Sequence, residues 1–174
     1  MHDKHWHMAT NEHEVCLTEF EFALLRVNEA FNRWMDDCAA CSSNENVNGM
    51  DFAVLNIIHM HDRPKGITEI SRLMNREDTS NMQYCIRKLM KADLIEKVTT
   101  GGVKKGATYQ VTEAGKAMTS QYVSLRKNLL LSLTAQISNS EGKLEDASQV
   151  LNLMSGLYNQ ASCLAATHRL PSHP

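Results

Sequence analysis

The sequence predicts a mainly α chain with a small β-hairpin set between long helices, and three observations predict it. Only 3 Pro and 8 Gly interrupt 174 residues that are 43% hydrophobic, so turns are few and helices are favoured. Apolar residues recur at helical period along most of the chain, but after Asp93 the period changes to that of two strands around a Gly-rich turn. The third observation is the stretch from Asp78 to Asp93, DTSNMQYCIRKLMKAD. Its Met82, Cys85, Ile86, Leu89 and Met90 form one apolar stripe of a helix capped by Asp78 or Thr79, while Ser80, Asn81, Gln83, Tyr84, Arg87, Lys88 and Lys91 occupy the other face.

Each element follows in order. Residues 1–17 are polar and read as a flexible arm; His2, His5, His7 and His13 there lack the fixed spacing of a metal site. Thr18 opens a long helix, with Glu21 at capping-box spacing and Phe20, Leu24, Val27, Phe31, Trp34 and Cys38 holding period to about Cys41. At ~1.5 Å per residue it is a rod of about 36 Å, suited to packing on another subunit. The linker SSNENVNG closes this N-terminal segment, residues 18–48. From Gly49 to His61 a helix apolar over much of its surface is expected to be buried, and Ile67 begins a short strand. Thr68 caps the helix TEISRLMN, whose Ile70, Leu73 and Met74 face inward, and Arg76-Glu77-Asp78 turns into the central helix. Two short helices joined by a tight turn are a helix-turn-helix. Leu94–Thr100 and Ala107–Thr112 then pair as a hairpin with Lys104 and Lys105 at its tip, so residues 49–112 form a winged helix-turn-helix lobe. Residues 113–167 are two further helices, the first to about Ile137 and the second from about Leu144 to Ala166, and residues 168–174 are a tail. Their apolar stripes exceed what one lobe covers, which implies dimerisation through the helices at both ends of the chain.

Charge points to the partner. The net charge is −2, but residues 1–47 hold nine acidic against three basic side chains, and residues 87–116 hold seven basic against three acidic. A basic middle of this kind meets a polyanion. Double-stranded DNA is the expected partner. Ser80, Asn81, Gln83, Tyr84 and Arg87 are assigned to base edges, because amides and guanidinium groups match the donors and acceptors of the major groove. Thr68, Ser71, Arg72, Thr79, Lys88, Lys91, Lys104 and Lys105 are assigned to phosphates.

Other chemistries find less support. There is no phosphate-cradling Gly loop, no G-x-S-x-G and no H-E-x-x-H, so no enzyme and no cofactor is expected. No stretch approaches the ~18 apolar residues of a membrane span, and the N-terminus lacks the apolar core of a signal peptide, which predicts a cytoplasmic protein with reduced thiols. Cys38-Ala-Ala-Cys41 is a lone C-x-x-C; burial of Cys38 in the apolar stripe and a redox or metal switch both fit it. His59 and His61, at i and i+2, point to opposite faces of a helix and take capping or core roles. A second functional class is a winged-helix module that binds another protein through its long helices.

Element order and local sequence resemble the MarR family of bacterial winged-helix transcriptional regulators. TSNMQYCIRKLMKADLIEK is similar to that family's recognition helix running into its first wing strand, and YQVTEAGKAM to its second wing strand and the start of the next helix. The resemblance is good from about Met50 to Met118. The family's wing normally holds an Asp-x-Arg pair, where this chain has GGVKKG. Asp93 stands where the family commonly has Gly, which implies a left-handed position that Asp tolerates. The resemblance implies a homodimer on a pseudo-palindromic operator, and a cleft for a small-molecule effector between the dimerisation helices and each DNA-binding lobe.

Overall fold

The first helix starts from Asn11, not from Thr18. In the computed structural model, which describes residues 6–42, 47–98 and 106–168, the Asn11 side chain accepts the Glu14 N–H and α1 runs Glu12–Cys41. Thr18 lies inside it, its hydroxyl donating back to the Glu14 carbonyl, so its capping-box spacing is not used. The expected arm is therefore helical from Glu12 onward, and Trp6 stacks on Phe22 with ring centroids 5.7 Å apart.

Helix α2 (Gly49–His59) begins with a capping box: Asn48 accepts the Asp51 N–H while the Asp51 carboxylate accepts the Asn48 N–H. Asp36 of α1 accepts the Gly49 N–H at 2.6 Å. A Cβ at position 49 would sit 2.5 Å from the Asp36 carboxylate and 2.8 Å from its backbone nitrogen, so a glycine permits this approach of α1 to α2. A 3-10 turn, Met60–Asp62, follows α2, with His61 and Asp62 at φ 66 and 45. The carbonyls freed there are met by Lys65, which is fully buried. Its ammonium donates to Ile58 O at 2.9 Å, to Met60 O and to Arg63 O at 3.2 Å. Burial holds its pKa below the ordinary lysine value, with the neighbouring Arg63 charge acting in the same direction.

Strand β1 is Lys65–Gly66, so the short strand precedes Ile67, which instead begins α3 (Ile67–Leu73). Thr68 is not the cap; Gly66 occupies that position without a side-chain bond. Helix α4 (Thr79–Lys91) leads through Asp93 into β2 (Ile95–Val98), and β3 is Thr108–Val111. The three strands form an antiparallel sheet in the order β1-β3-β2, with Lys65 opposite Tyr109 and Ile95 opposite Val111. The wing tip with Lys104 and Lys105 lies outside the described residues. Thr112 locks the corner after the wing: its hydroxyl donates to Asp93 O at 2.6 Å and accepts the Gly115 N–H at 3.1 Å. Helix α5 (Glu113–Leu125) starts here, and Gly115 is needed because a Cβ would lie 2.1 Å from Leu94 O. The core unites α1, α2, α4, the wing and α5 around Phe52, Leu55, Ile58, Ile70, Ile86 and Leu89. Tyr122 of α5 packs edge-on to Phe52, centroids 5.2 Å apart, and 6.5 Å from Trp34. His59 Nδ1 and Thr119 Oγ1 bond at 2.8 Å, the core role expected for that histidine.

These elements form one compact unit, Met1–Leu125; Arg126–Pro174 forms a second. In the second, Arg126–Leu131 winds as a π-helix and α6 (Ser132–Thr134) is a single turn, where one continuous helix to about Ile137 was expected. Asn139 in the left-handed region (φ 52) precedes α7 (Ser140–Thr167), none of whose residues is buried.

Candidate nucleic-acid interface

Helix α4 is fixed at both ends by backbone geometry. The Asp78 carboxylate accepts the Ser80 and Asn81 N–H groups at 2.9 and 3.1 Å, which settles the cap in favour of Asp78 over Thr79. The preceding turn closes on Asn75, at φ 51, with Asn75 N–H to Arg72 O and Arg76 N–H to Ser71 O. The same pair of bonds recurs at the other end: Asp93, at φ 56, donates to Met90 O and Leu94 to Leu89 O. Both are Schellman motifs, in which a left-handed residue lets the last carbonyls of a helix find donors. Asp93 thus occupies the left-handed position that its place in the sequence implied.

Between these ends Met82, Cys85, Ile86 and Leu89 are buried. Thr79, Ser80, Asn81, Gln83, Tyr84, Arg87 and Lys91 are exposed. Helix α4 contains no carboxylate, so its outer face offers hydroxyl, amide, guanidinium and ammonium groups only. Tyr84 is 60% exposed, projecting its ring and hydroxyl outward. The Asn81 amide donates to the Asp78 carboxylate, tying one base-edge candidate to the cap. On α3, Thr68 and Arg72 are exposed. Arg63 clamps the start of that helix through a two-point ion pair with Glu69, whose carboxyl is held below the usual range by those bonds.

Two assigned groups are placed elsewhere. The Ser71 hydroxyl is buried. Lys88 turns inward, its Nζ 2.5 Å from the Asp51 carboxylate of α2. Asp51 is 1% exposed, and the Cys85 thiol is pushed up to about 11, first by burial and then by this carboxylate. The period of the helix put Lys88 on the outer face; its half-buried position lies at the edge of that face, and the buried acid draws it inward. Asp51 and Lys65 are the two residues that sequence reasoning missed. The first had a signal in the Asn48-x-x-Asp51 capping spacing; the second had none, since a lysine beside a turn reads as solvated.

The two thiols of the C-x-x-C sit in different surroundings. Cys38 is 2% exposed and its thiol is pushed up to about 11, first by burial and then by Cys41 and Asp37, whereas Cys41 is exposed. A thiol held neutral is a poor nucleophile and a poor ligand. Among the described residues no group of His, Cys, Asp and Glu is arranged to hold a metal ion, and no helix is long and apolar enough to cross a membrane.

Residues 47–115 match the family model described as a winged helix DNA-binding domain. No protein of curated function matches the sequence. Among solved structures, a MarR family transcription regulator aligns with a TM-score of 0.68 at 14% identity, over 84% of this chain and 93% of that one. The chain has the MarR fold. Staphylococcus aureus MarR in complex with salicylate and kanamycin gives 0.66 at 16% identity, over 86% of this chain and 96% of that one. A mutant MarR from E. coli complexed with operator DNA gives 0.63 at 15%, over 78% and 94%. Within the MarR fold, α3 and α4 are the helix-turn-helix, β2 and β3 are the wing, and α1, α5 and α7 are the long helices.

Proposed function

We propose that the chain is a sequence-specific transcriptional regulator that binds DNA as a homodimer on a pseudo-palindromic operator. The observation that carries this reading is the outer face of α4, exposed and free of carboxylates on a helix whose other face is anchored in the core. A helix of this kind fits the major groove. Ser80, Asn81, Gln83, Tyr84 and Arg87 read base edges; Thr68, Arg72, Thr79 and Lys91, with Lys104 and Lys105 of the wing, neutralise or hydrogen-bond phosphates. The leucines of α7, such as Leu153 at 64% and Leu164 at 59% exposure, supply an apolar surface for the second copy.

The proposed effector is a small organic molecule. A cleft of about 770 Å³ lies between α1, α2 and the turn before α4, lined by Phe31, Met35, Met50 and Met74 with Arg76 among them. Asn28, Asn32, Asn48 and Asp36 complete the lining, so apolar walls stand beside amides and one charge of each sign, a setting for a small molecule with both apolar and polar parts; the S. aureus MarR structure is a complex with salicylate and kanamycin.

Arg87→Ala tests the recognition surface. One lost bidentate contact to a base costs ~1–3 kcal/mol, about 5- to 150-fold in affinity. With an operator selected from a random duplex pool, gel shift should show that loss with the melting temperature unchanged. Equal binding by parent and variant would remove Arg87 from the surface, and failure to select any duplex would remove the function.

A further inference from the structure

We propose that Asp51 is a positioning residue that holds Lys88 as an internal strut between α2 and α4 and keeps its charge away from DNA. The proposal rests on the DNA-binding reading above and reverses the phosphate role that sequence alone gives Lys88.

Two hydrogen bonds converge on the Asp51 carboxylate. Its Oδ2 accepts from Lys88 Nζ at 2.5 Å and from the Asn48 N–H at 3.2 Å. Lys88 belongs to α4 and Asp51 to α2, so one buried carboxylate of α2 holds the recognition helix through a side chain of its third turn. The Asp51 side chain is 2% exposed and that of Lys88 is 24% exposed, whereas Arg87 and Lys91 stand on the open face. If Lys88 left for a phosphate, it would strand a buried carboxylate, and an unpaired buried charge costs more than a solvated lysine–phosphate contact returns. Lys88 therefore stays inside when DNA arrives. The consequence is selectivity. A lysine–phosphate contact strengthens binding to every sequence alike, so withholding one lowers non-specific affinity and leaves the base-reading side chains untouched. The same grip fixes the roll of α4, which decides which of its residues reach base edges.

The dependence of affinity on salt separates this from a merely structural role, because each phosphate neutralised by a cation adds ~0.9 to the slope of log K against log salt concentration. Fluorescence anisotropy with a random-sequence duplex, at several salt concentrations, is measured for the parent, for Asp51→Asn and for Asp51→Asn combined with Lys88→Met. Circular dichroism confirms that each is folded. Asp51→Asn frees Lys88, so its slope should steepen by about 0.9 and its non-specific affinity should rise. The double variant should return to the parent slope, since Lys88 contributed nothing there. A double-variant slope shallower than the parent by about 0.9 would place Lys88 on a phosphate already and overturn the proposal. An Asp51→Asn slope equal to the parent's would also overturn it. If Asp51→Asn does not fold, the double variant, in which both charges are gone, decides alone. A parent that binds no duplex overturns the DNA-binding reading and takes this inference with it, an outcome distinct from the two above.

Discussion

The winged lobe and α7 use the same kind of residue to opposite ends. In the lobe Phe52, Leu55, Ile70 and Leu89 have no exposed surface at all, whereas in α7 Leu144, Leu153, Leu157 and Leu164 are each about half exposed or more. Burying a leucine or phenylalanine contributes ~1.5–3 kcal/mol, so the lobe has realised that free energy and α7 has not. The apolar residues of α7 stay exposed in the single chain, which is the basis for proposing a second copy over them. The difference fits the two roles proposed for them, a lobe that reads DNA and a helix that takes a second copy.

The most forceful way to break this comparison is to truncate one residue in each region. Phe52→Ala should cost ~3–5 kcal/mol in urea unfolding, through lost transfer free energy and a cavity beneath Tyr122. Leu153→Ala, measured at low protein concentration, should change stability by no more than about 0.5 kcal/mol while raising the dissociation constant of the dimer. Similar losses of stability for both would erase the distinction.

Gly115→Ala tests how tightly the lobe is closed. The new methyl would meet Leu94 O, and overpacking of this order costs ~1–3 kcal/mol, seen as a lower melting temperature. Position 93 should respond less. Asp93 is left-handed at φ 56, so Asp93→Val should destabilise by ~1–2 kcal/mol, and Asp93→Gly should equal or exceed the parent. A harmless valine would show that the motif after α4 does not depend on that conformation.

Much of the lobe was legible in the sequence because its signals are local. The stripe of α4, its cap at Asp78 or Thr79, the strands on either side of Gly101–Gly106 and the Thr112-Glu113-Ala114-Gly115 corner each occupy a few consecutive residues; each is present, with Asp78 as the cap, Met90 at the exposed edge of the stripe and the strands described over Ile95–Val98 and Thr108–Val111. The start of α1 was misplaced because Asn11 and Thr18 are both good caps, and the choice falls to the helix that extends further. Thr68 failed for a similar reason: the sheet register places Gly66 against Thr108, so the chain enters α3 two residues earlier than a cap at the threonine would have it. The ion pair of Asp51 and Lys88 spans 37 residues, and no local pattern encodes a contact of that range. The same holds for Lys65, whose partners are carbonyls exposed by a kink at His61. Of the interface, the exposed face of α4 was readable; which of its basic residues stays inside was not.

The smallest expected effect concerns the thiols. Cys38 and Cys85 are pushed up to about 11 from 9.0, so the folded state holds their protons more tightly than the unfolded chain does. The stability this contributes is complete below pH 9.0 and is lost as pH rises toward about 11. At pH 8 Cys41 should react promptly with a disulfide reagent, while Cys38 and Cys85 should wait for unfolding. Cys163 of α7 sharpens the comparison: it is exposed in the single chain, and slowing of its reaction with rising protein concentration would report a second copy covering that helix.

The most direct test of the central claim is sedimentation equilibrium of the protein with a selected operator duplex. The account predicts two chains per duplex, with Leu153→Asp weakening that assembly and Arg87→Ala lowering the bound fraction without dissociating the free dimer. A single chain per duplex, or a dimer that ignores DNA at every salt concentration, would contradict it.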